Sequence, residues 1–319
     1  MKVHVWGELS EEERGVFEEL EVHFGEEVGA DCEILVRGDE VDEGLLNLKV
    51  VVVPWAGVGG AVMKSAKARG LSVFNLHHNA GATAQTAVGL LLAVTRDVVG
   101  MDREFRAGSW RARFEGAETL DLTGRTVVVL GMGAIGTKVA AILRAMDMDV
   151  IGVARSERGE VWGFERIDEA LRRAEVCVCC LPLTPETRGI LDRRRLGLMP
   201  DGAVFVNVGR GAVVEEKALF DELKSGRFFG AGLDVWWKYP ESAESRVWPG
   251  ECDWASLGNV VMNPHRGGRG GRDGAVASGS GSFGSSFGGG FEWGGGFGAG
   301  VLKTAWFATG RVENHVIGL

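Results

Sequence analysis

Short apolar runs alternate with longer stretches of helical spacing through most of the chain, and that alternation sets the expected fold class. In the first hundred residues MKVHVW (1–6), CEILVRG (32–38), KVVVVPW (49–55) and LSVFNL (71–76) read as strands. The third, built on four successive valines, has the unbroken apolar character of a strand buried on both faces. SEEERGVFEELEVHF (10–24) has an N-terminal Ser and acidic residues in its first turn, and predicts a helix. QTAVGLLLAVTRDVV (85–99) predicts a long, mostly buried helix. A second series then supplies strands TVVVL (126–130), DVIGVA (149–154), EVCVCCL (175–181), AVFVNVG (203–209), FFGAGLDVW (228–236) and NVVM (259–262). Helical segments such as TKVAAILRAM and EEKALFDELKSG lie between them. Repeated β-α units imply an α/β protein with two doubly wound parallel sheets, whose ligands sit at the carboxyl ends of the strands.

Composition narrows the function. At 319 residues the chain is long enough for two domains with their own cores, and a net charge of −9 argues against a general nucleic-acid binder. The longest apolar helix candidate, Ala87 to Val94, is too short to span a bilayer, so a cytoplasmic protein with no membrane partner is expected. Cys177, Cys179 and Cys180 lie in a continuous apolar run with no second Cys/His pair at zinc spacing, so they read as a buried strand and no metal site is expected. From Gly267 to Gly300 glycine dominates, with Ser and Phe filling much of the remainder. That run reads as a flexible segment, as an unusual packed segment, or as a local sequence or reading-frame error in an otherwise helical region.

The chemistry gathers at strand ends. VVVLGMGAIGTKVAAIL places Gly131, Gly133 and Gly136 in G-x-G-x-x-G, after a strand and at the opening of a helix that starts with Ala134 and Ile135. Gly131 permits the tight turn, Gly133 lets the backbone approach a pyrophosphate, and Gly136 lets helix and strand pack closely. After the next strand, where NAD sites carry an acidic residue for the ribose, stands Ala154, followed by Arg155 and Ser156, with Arg158 nearby. Arginine there suits a 2′-phosphate, so NADP is favoured and NAD remains possible; a solvated basic turn is the plainer reading. Arg210, Asp234 and His265 end three successive strands.

LGMGAIG, LPLTPETRGIL, VNVGRGAVVEEKAL, GLDVW and NPH, in this order and spacing, resemble the D-isomer-specific 2-hydroxyacid dehydrogenases. That family includes glyoxylate/hydroxypyruvate reductases, phosphoglycerate dehydrogenase and formate dehydrogenase. The resemblance implies two Rossmann-like domains, with a nucleotide-binding domain (99–290) inserted into a flavodoxin-like substrate domain (1–98 and about 291–319). It further implies a homodimer acting on a small 2-keto or 2-hydroxy acid. Arg210 would hold the substrate carboxylate and carbonyl, and His265 would act as the acid/base. Backbone N–H groups near Ala56 and Gly57 would also meet the substrate. Thr83, Pro182, Val208 and Asp234 would lie along the cofactor, Asp234 on the nicotinamide side. As plain sequence, Thr83 reads as a helix-surface residue, Pro182 as a strand terminator and Trp55–Gly57 as a loop.

One position departs from the family pattern. Family members carry a Glu before the proline of the segment after LDV, where it pairs with the histidine; here Tyr239 precedes Pro240. A neutral tyrosine can orient an imidazole by hydrogen bonding but supplies no charge at pH 7. The expectation is a His265 without the usual upward pKa shift, with Glu241 as another possible partner. WWKYP otherwise reads as a pocket wall or dimer contact. A formate-type dehydrogenase and a dinucleotide-binding sensor without turnover are the alternative functions.

Overall fold

A computed structural model describes residues 2–6, 22–25, 27–37, 41–53, 58, 60–75, 79–116, 118–242 and 244–268. The glycine-rich run beyond 268, the expected C-terminal return at 291–319, and the Ala56–Gly57 loop lie outside the described residues. The chain divides into two units: one holds the residues up to Asn79 with Glu241–Glu244, the other Ala80–Pro240 with Ser245–Arg269.

The first unit is a parallel sheet of β1 (Val3–Trp6), β2 (Val22–Gly25), β3 (Ile34–Val36), β4 (Val50–Val53) and β5 (Ser72–Asn75). Its order, β2-β1-β3-β4-β5, is the flavodoxin-like arrangement. The valines of β4 are all buried; Val51 and Val53 pack with Leu35, Val73 and with Val62 and Ala66 of helix α1 (Gly60–Arg69). The helix expected over 10–24 is corrected at its end, because Val22–Gly25 is a strand that pairs His4 with His23. Four half-exposed residues on a sheet edge carry too little alternation to separate them from a preceding helical pattern.

The second unit contains α2 (Ala80–Thr95), α3 (Val98–Arg106), α4 (Arg111–Glu115), β6 (Thr126–Leu130), α5 (Ala134–Ala145), β7 (Asp149–Val153), α6 (Ile167–Arg172) and β8 (Val176–Cys179). α7 (Arg193–Leu196), β9 (Val204–Asn207), α8 (Glu216–Lys224), β10 (Gly230–Leu233) and β11 (Val260–Met262) follow. All six expected strands form one parallel sheet, ordered β11-β10-β9-β8-β6-β7. Strand periodicity sorts its core. Val127, Val129, Val176, Val178, Val204 and Val206 pack with α2 and α5, whereas Val128, Leu130, Cys177, Cys179 and Phe205 pack with α6 and α8. The cysteines are therefore core residues, and burial pushes the Cys179 thiol up to about 12.

The domain boundary expected at 98/99 lies instead at Asn79/Ala80, because α2 packs on the second sheet. Gly230 and Gly232 make that packing possible. A Cβ at Gly232 would lie 2.7 Å from the Leu90 Cβ, and one at Gly230 would lie 2.7 Å from Val94 Cγ1. Each fully buried Val or Leu, such as Leu91, contributes about 1.5–3 kcal/mol to holding the helix there. Among the described residues no single helix is long and apolar enough to cross a membrane.

Candidate functional site

The turn after β6 uses its three glycines for three different reasons. Gly131 has φ +95°, and a Cβ on it would sit 3.0 Å from the Cys180 backbone. A Cβ on Gly136 would meet the Gly131 carbonyl oxygen at 2.1 Å, so glycine is needed for α5 to start this close to the strand. At Gly133 a Cβ would meet nothing within 4 Å; the space beside it is open. Gly133 is the N-cap of α5, no side chain caps that helix end, and its first turn holds no acidic residue. The unpaired N–H groups of a helix start, with their partial positive charge, suit an anion. Gly133 and Ala134 are exposed and Ile135 is half-buried. These features fit a dinucleotide pyrophosphate.

β7 ends in a tight hairpin. Arg158 and Val161 exchange both backbone hydrogen bonds at 3.0 Å around Gly159, whose φ is +56°. Arg155 and Ser156 are exposed before that hairpin, at the position that faces an adenosine ribose in a nucleotide-binding sheet. Arg158 is used differently: its guanidinium donates to the Met132 carbonyl at 2.5 Å. Beyond β8, exposed Pro182 begins a loop stitched by Thr187, whose hydroxyl donates to the Pro182 carbonyl at 2.6 Å and accepts from the Thr184 N–H at 2.8 Å. Thr83, read from plain sequence as a helix-surface residue, is 5% exposed, because its face of α2 turns inward.

Arg210, Asp234 and His265 follow β9, β10 and β11, three adjacent strands. Val208 is buried and donates its N–H to Cys179 across the strand ends. Asn207 then braces the Arg210 turn: its Oδ1 accepts from the Gly209 N–H at 3.0 Å, and its amide donates to the Arg210 carbonyl at 3.2 Å. Glycines flank the arginine because backbone crowds both sides. A Cβ at Gly209 would lie 2.4 Å from the Leu181 oxygen, and one at Gly211 would lie 2.1 Å from the Trp236 oxygen. The half-buried Arg210 side chain also donates to the Gly209 carbonyl at 2.8 Å.

Asp234, 1% exposed, organises the histidine loop. Its Oδ1 accepts from the Asn263 amide at 2.8 Å and from the Arg266 N–H at 2.9 Å, and its Oδ2 accepts from the Gly267 N–H at 3.1 Å. The Asn263 carbonyl in turn accepts from the His265 N–H and the Trp236 indole N–H, each at 2.9 Å. His265 is held in the left-handed region with φ +57°. Burial pushes the Asp234 carboxyl up to about 6, against the pull of these donors and of the Arg210 charge. His265 goes the other way: surrounding protein, and secondarily the Arg210 charge, lower it to about 4. His265 is nonetheless an exposed residue, and its ring is neutral at pH 7.

Tyr239 stands beside His265, with ring centroids 5.4 Å apart and planes tilted by 50°. Of the two ways a tyrosine can meet the ring, the hydrogen bond is not the one seen: the Tyr239 hydroxyl accepts from the Trp236 N–H at 3.0 Å, and among the described residues no hydrogen bond joins it to the imidazole. The contact is ring against ring. Gly209, Gly211, Asn207, Asn263 and Gly267 were not singled out from sequence. Asn207 works within its own turn, whereas Gly209, Gly211, Asn263 and Gly267 meet backbone or carboxylate that follows other strands.

Residues 88–267 match the description D-isomer specific 2-hydroxyacid dehydrogenase, NAD binding domain. The chain is 34% identical to D-3-phosphoglycerate dehydrogenase of Archaeoglobus fulgidus over 71% of its own length, and spans only 42% of that longer protein. It is 32% identical to glyoxylate reductase of Pyrococcus horikoshii, covering 83% of this chain and 80% of that one. A solved NADPH-dependent glyoxylate/hydroxypyruvate reductase from Sinorhizobium meliloti, in complex with NADP and malonate, is similar with a TM-score of 0.66 and 26% identity. That likeness covers 84% of this chain and 87% of that one. A nucleotide-type turn and three polar strand ends on one sheet, inside a match that takes in more than half the chain, lead to one conclusion: the chain belongs to the D-isomer-specific 2-hydroxyacid dehydrogenase family.

Proposed function

We propose that this chain is an NAD(P)-dependent oxidoreductase that interconverts a small 2-keto acid and its D-2-hydroxy acid, with NADP as the preferred cofactor. The observation that carries the reading is the convergence of Arg210, Asp234 and His265 at the ends of β9, β10 and β11, on the same sheet edge as the Gly131–Gly136 turn. Arg210 pairs its planar guanidinium with the substrate carboxylate, and His265 passes a proton to or from the substrate oxygen. Asp234 lies along the cofactor and holds the histidine loop. The bound dinucleotide supplies or accepts the hydride. Ala56 and Gly57 would add backbone N–H donors to the substrate carboxylate, and Thr83, Pro182 and Val208 would line the cofactor.

Ala154 in the acidic position, with exposed Arg155 and Ser156 after it, supports a 2′-phosphate on the cofactor. The relative from Sinorhizobium meliloti is NADPH-dependent by name. We further propose a cytoplasmic homodimer. Exposed Phe105, Trp110 and Phe114 on the arm formed by α3 and α4 support an apolar contact between copies.

The test is loss of NADPH absorbance with glyoxylate, hydroxypyruvate, pyruvate and phenylpyruvate, with His265→Ala beside the wild type. Turnover with at least one keto acid is expected, reduced about 10²- to 10⁴-fold by the substitution. Turnover of formate instead would favour the formate-type reading, which the Tyr239 hydroxyl's bond to Trp236 supports, since that chemistry needs no proton from a charged histidine. Binding of NADPH without turnover of any of these would favour a sensor.

A further inference from the structure

Arg158 is left over once the phosphate turn and the 2′-phosphate candidates Arg155 and Ser156 are accounted for. Its guanidinium is engaged within the protein, donating to the Met132 carbonyl at 2.5 Å. Met132 is the middle residue of the Gly131–Gly133 turn, and its side chain is held as well. A Cβ on Gly152 of β7 would lie 2.8 Å from Met132 Cγ, so Met132 occupies the space that glycine leaves. The hairpin that carries Arg158 is itself rigid, closed by the reciprocal Arg158–Val161 backbone bonds and joined to β7 by Trp162 N–H donating to Gly152 at 2.9 Å.

We infer that Arg158 is a positioning residue of the dinucleotide site, locking the Met132–Gly133 peptide so that the Gly133 N–H is presented to the pyrophosphate. The reason is peptide geometry. A trans peptide is planar, and its C=O and N–H point in opposite directions. A donor that fixes the Met132 oxygen therefore fixes the Gly133 N–H on the far side of the same plane, away from the hairpin. Gly133 is exposed and a Cβ on it would meet nothing within 4 Å, so the turn is open beside that peptide. A cationic donor on the oxygen also polarises the peptide and makes its N–H a better donor to an anion. The pyrophosphate is common to NAD and NADP, so this lock serves both cofactors alike, whereas a residue reading the 2′-phosphate serves one.

The inference rests on the dinucleotide reading, and one titration separates the two. Dissociation constants for NADH and NADPH are measured by protein fluorescence for the wild type, Arg158→Ala, Arg158→Lys and Arg155→Ala, with thermal unfolding of each ligand-free variant as the fold control. Arg158→Ala is expected to weaken both dinucleotides about tenfold, leaving the NADH:NADPH affinity ratio within about twofold of wild type. Arg158→Lys, which keeps a cationic donor and guards against an unstable alanine variant, should recover part of both affinities together. Arg155→Ala should weaken NADPH selectively. An Arg158→Ala loss confined to NADPH would make Arg158 a 2′-phosphate reader and overturn the inference; unchanged affinity for both would overturn it too. Wild type that binds neither dinucleotide would overturn the underlying reading, and the inference with it.

Discussion

Gly131-Met132-Gly133 and Gly209-Arg210-Gly211 are the same tripeptide pattern at the ends of two strands of one sheet, yet their second glycines answer different demands. At Gly133 nothing lies within 4 Å of where a Cβ would be, and the residue is exposed. At Gly211 the Trp236 carbonyl oxygen would lie 2.1 Å from that Cβ, and the residue is buried. One glycine leaves room for something outside the chain. The other makes room for the chain itself, so that the turn between β9 and α8 can press against the segment after β10 and hold Arg210 beside Asp234 and His265. A glycine pattern alone thus does not separate a ligand-facing turn from a packing turn; what stands opposite the missing side chain does.

The difference predicts opposite outcomes for the same substitution. Gly211→Ala forces a backbone shift and is expected to destabilise the protein by about 3 kcal/mol or more, lowering Tm by roughly 6–12 °C in calorimetry. An unchanged Tm would show that the Arg210 turn is not packed as tightly as Gly211 implies. A smaller but wide-ranging effect concerns pH. In the proposed keto-acid reduction His265, held at about 4, would have to be protonated to give up a proton, and its protonated fraction falls about tenfold per pH unit above that value. Across pH 5.5–7.5 kcat/KM for reduction should therefore fall about a hundredfold, while the Kd of NADH, held by backbone N–H groups at the other turn, should stay flat. A reduction profile that holds to a basic-limb pKa near 8 would contradict a neutral, uncharged-partner histidine. The smallest change in stability is expected at Gly133. Gly133→Ala should cost at most about 1 kcal/mol as a poorer N-cap, yet raise the NADH Kd about tenfold by putting a methyl where the pyrophosphate approaches. Isothermal titration with parallel unfolding curves would measure both.

Tyr239 shows how a local departure can be seen without its consequence being readable. Its place before Pro240 is legible in the sequence, and the family resemblance implies that a carboxylate is missing beside the histidine. That its hydroxyl would bond to the Trp236 N–H, leaving only a tilted ring contact with His265, depends on how the segment after β10 folds back on itself. The same segment is fastened at its far end by Glu216, whose Oε1 accepts from the Cys252 N–H at 2.8 Å and the Trp254 indole N–H at 3.1 Å, while Trp254 stacks on Trp237 at 5.3 Å. No spacing rule pairs residues 216 and 254.

What the sequence by itself determined was whatever depends on neighbours along the chain. The two-residue alternation that sends Val127 and Val129 to one face and Val128 and Leu130 to the other is local, and so is the glycine turn between β6 and α5. With strands located and a parallel sheet implied, Arg210, Asp234 and His265 fall at one sheet edge on the sequence alone. Only the tertiary structure decided which sheet α2 serves, that Val22–Gly25 joins an edge, that Arg158 turns back to Met132, and that Asp234 grips the His265 loop. Each of those outcomes is chosen by contacts between residues far apart in sequence, where the fit of a particular side chain against a particular backbone outweighs the local pattern that both would show alone.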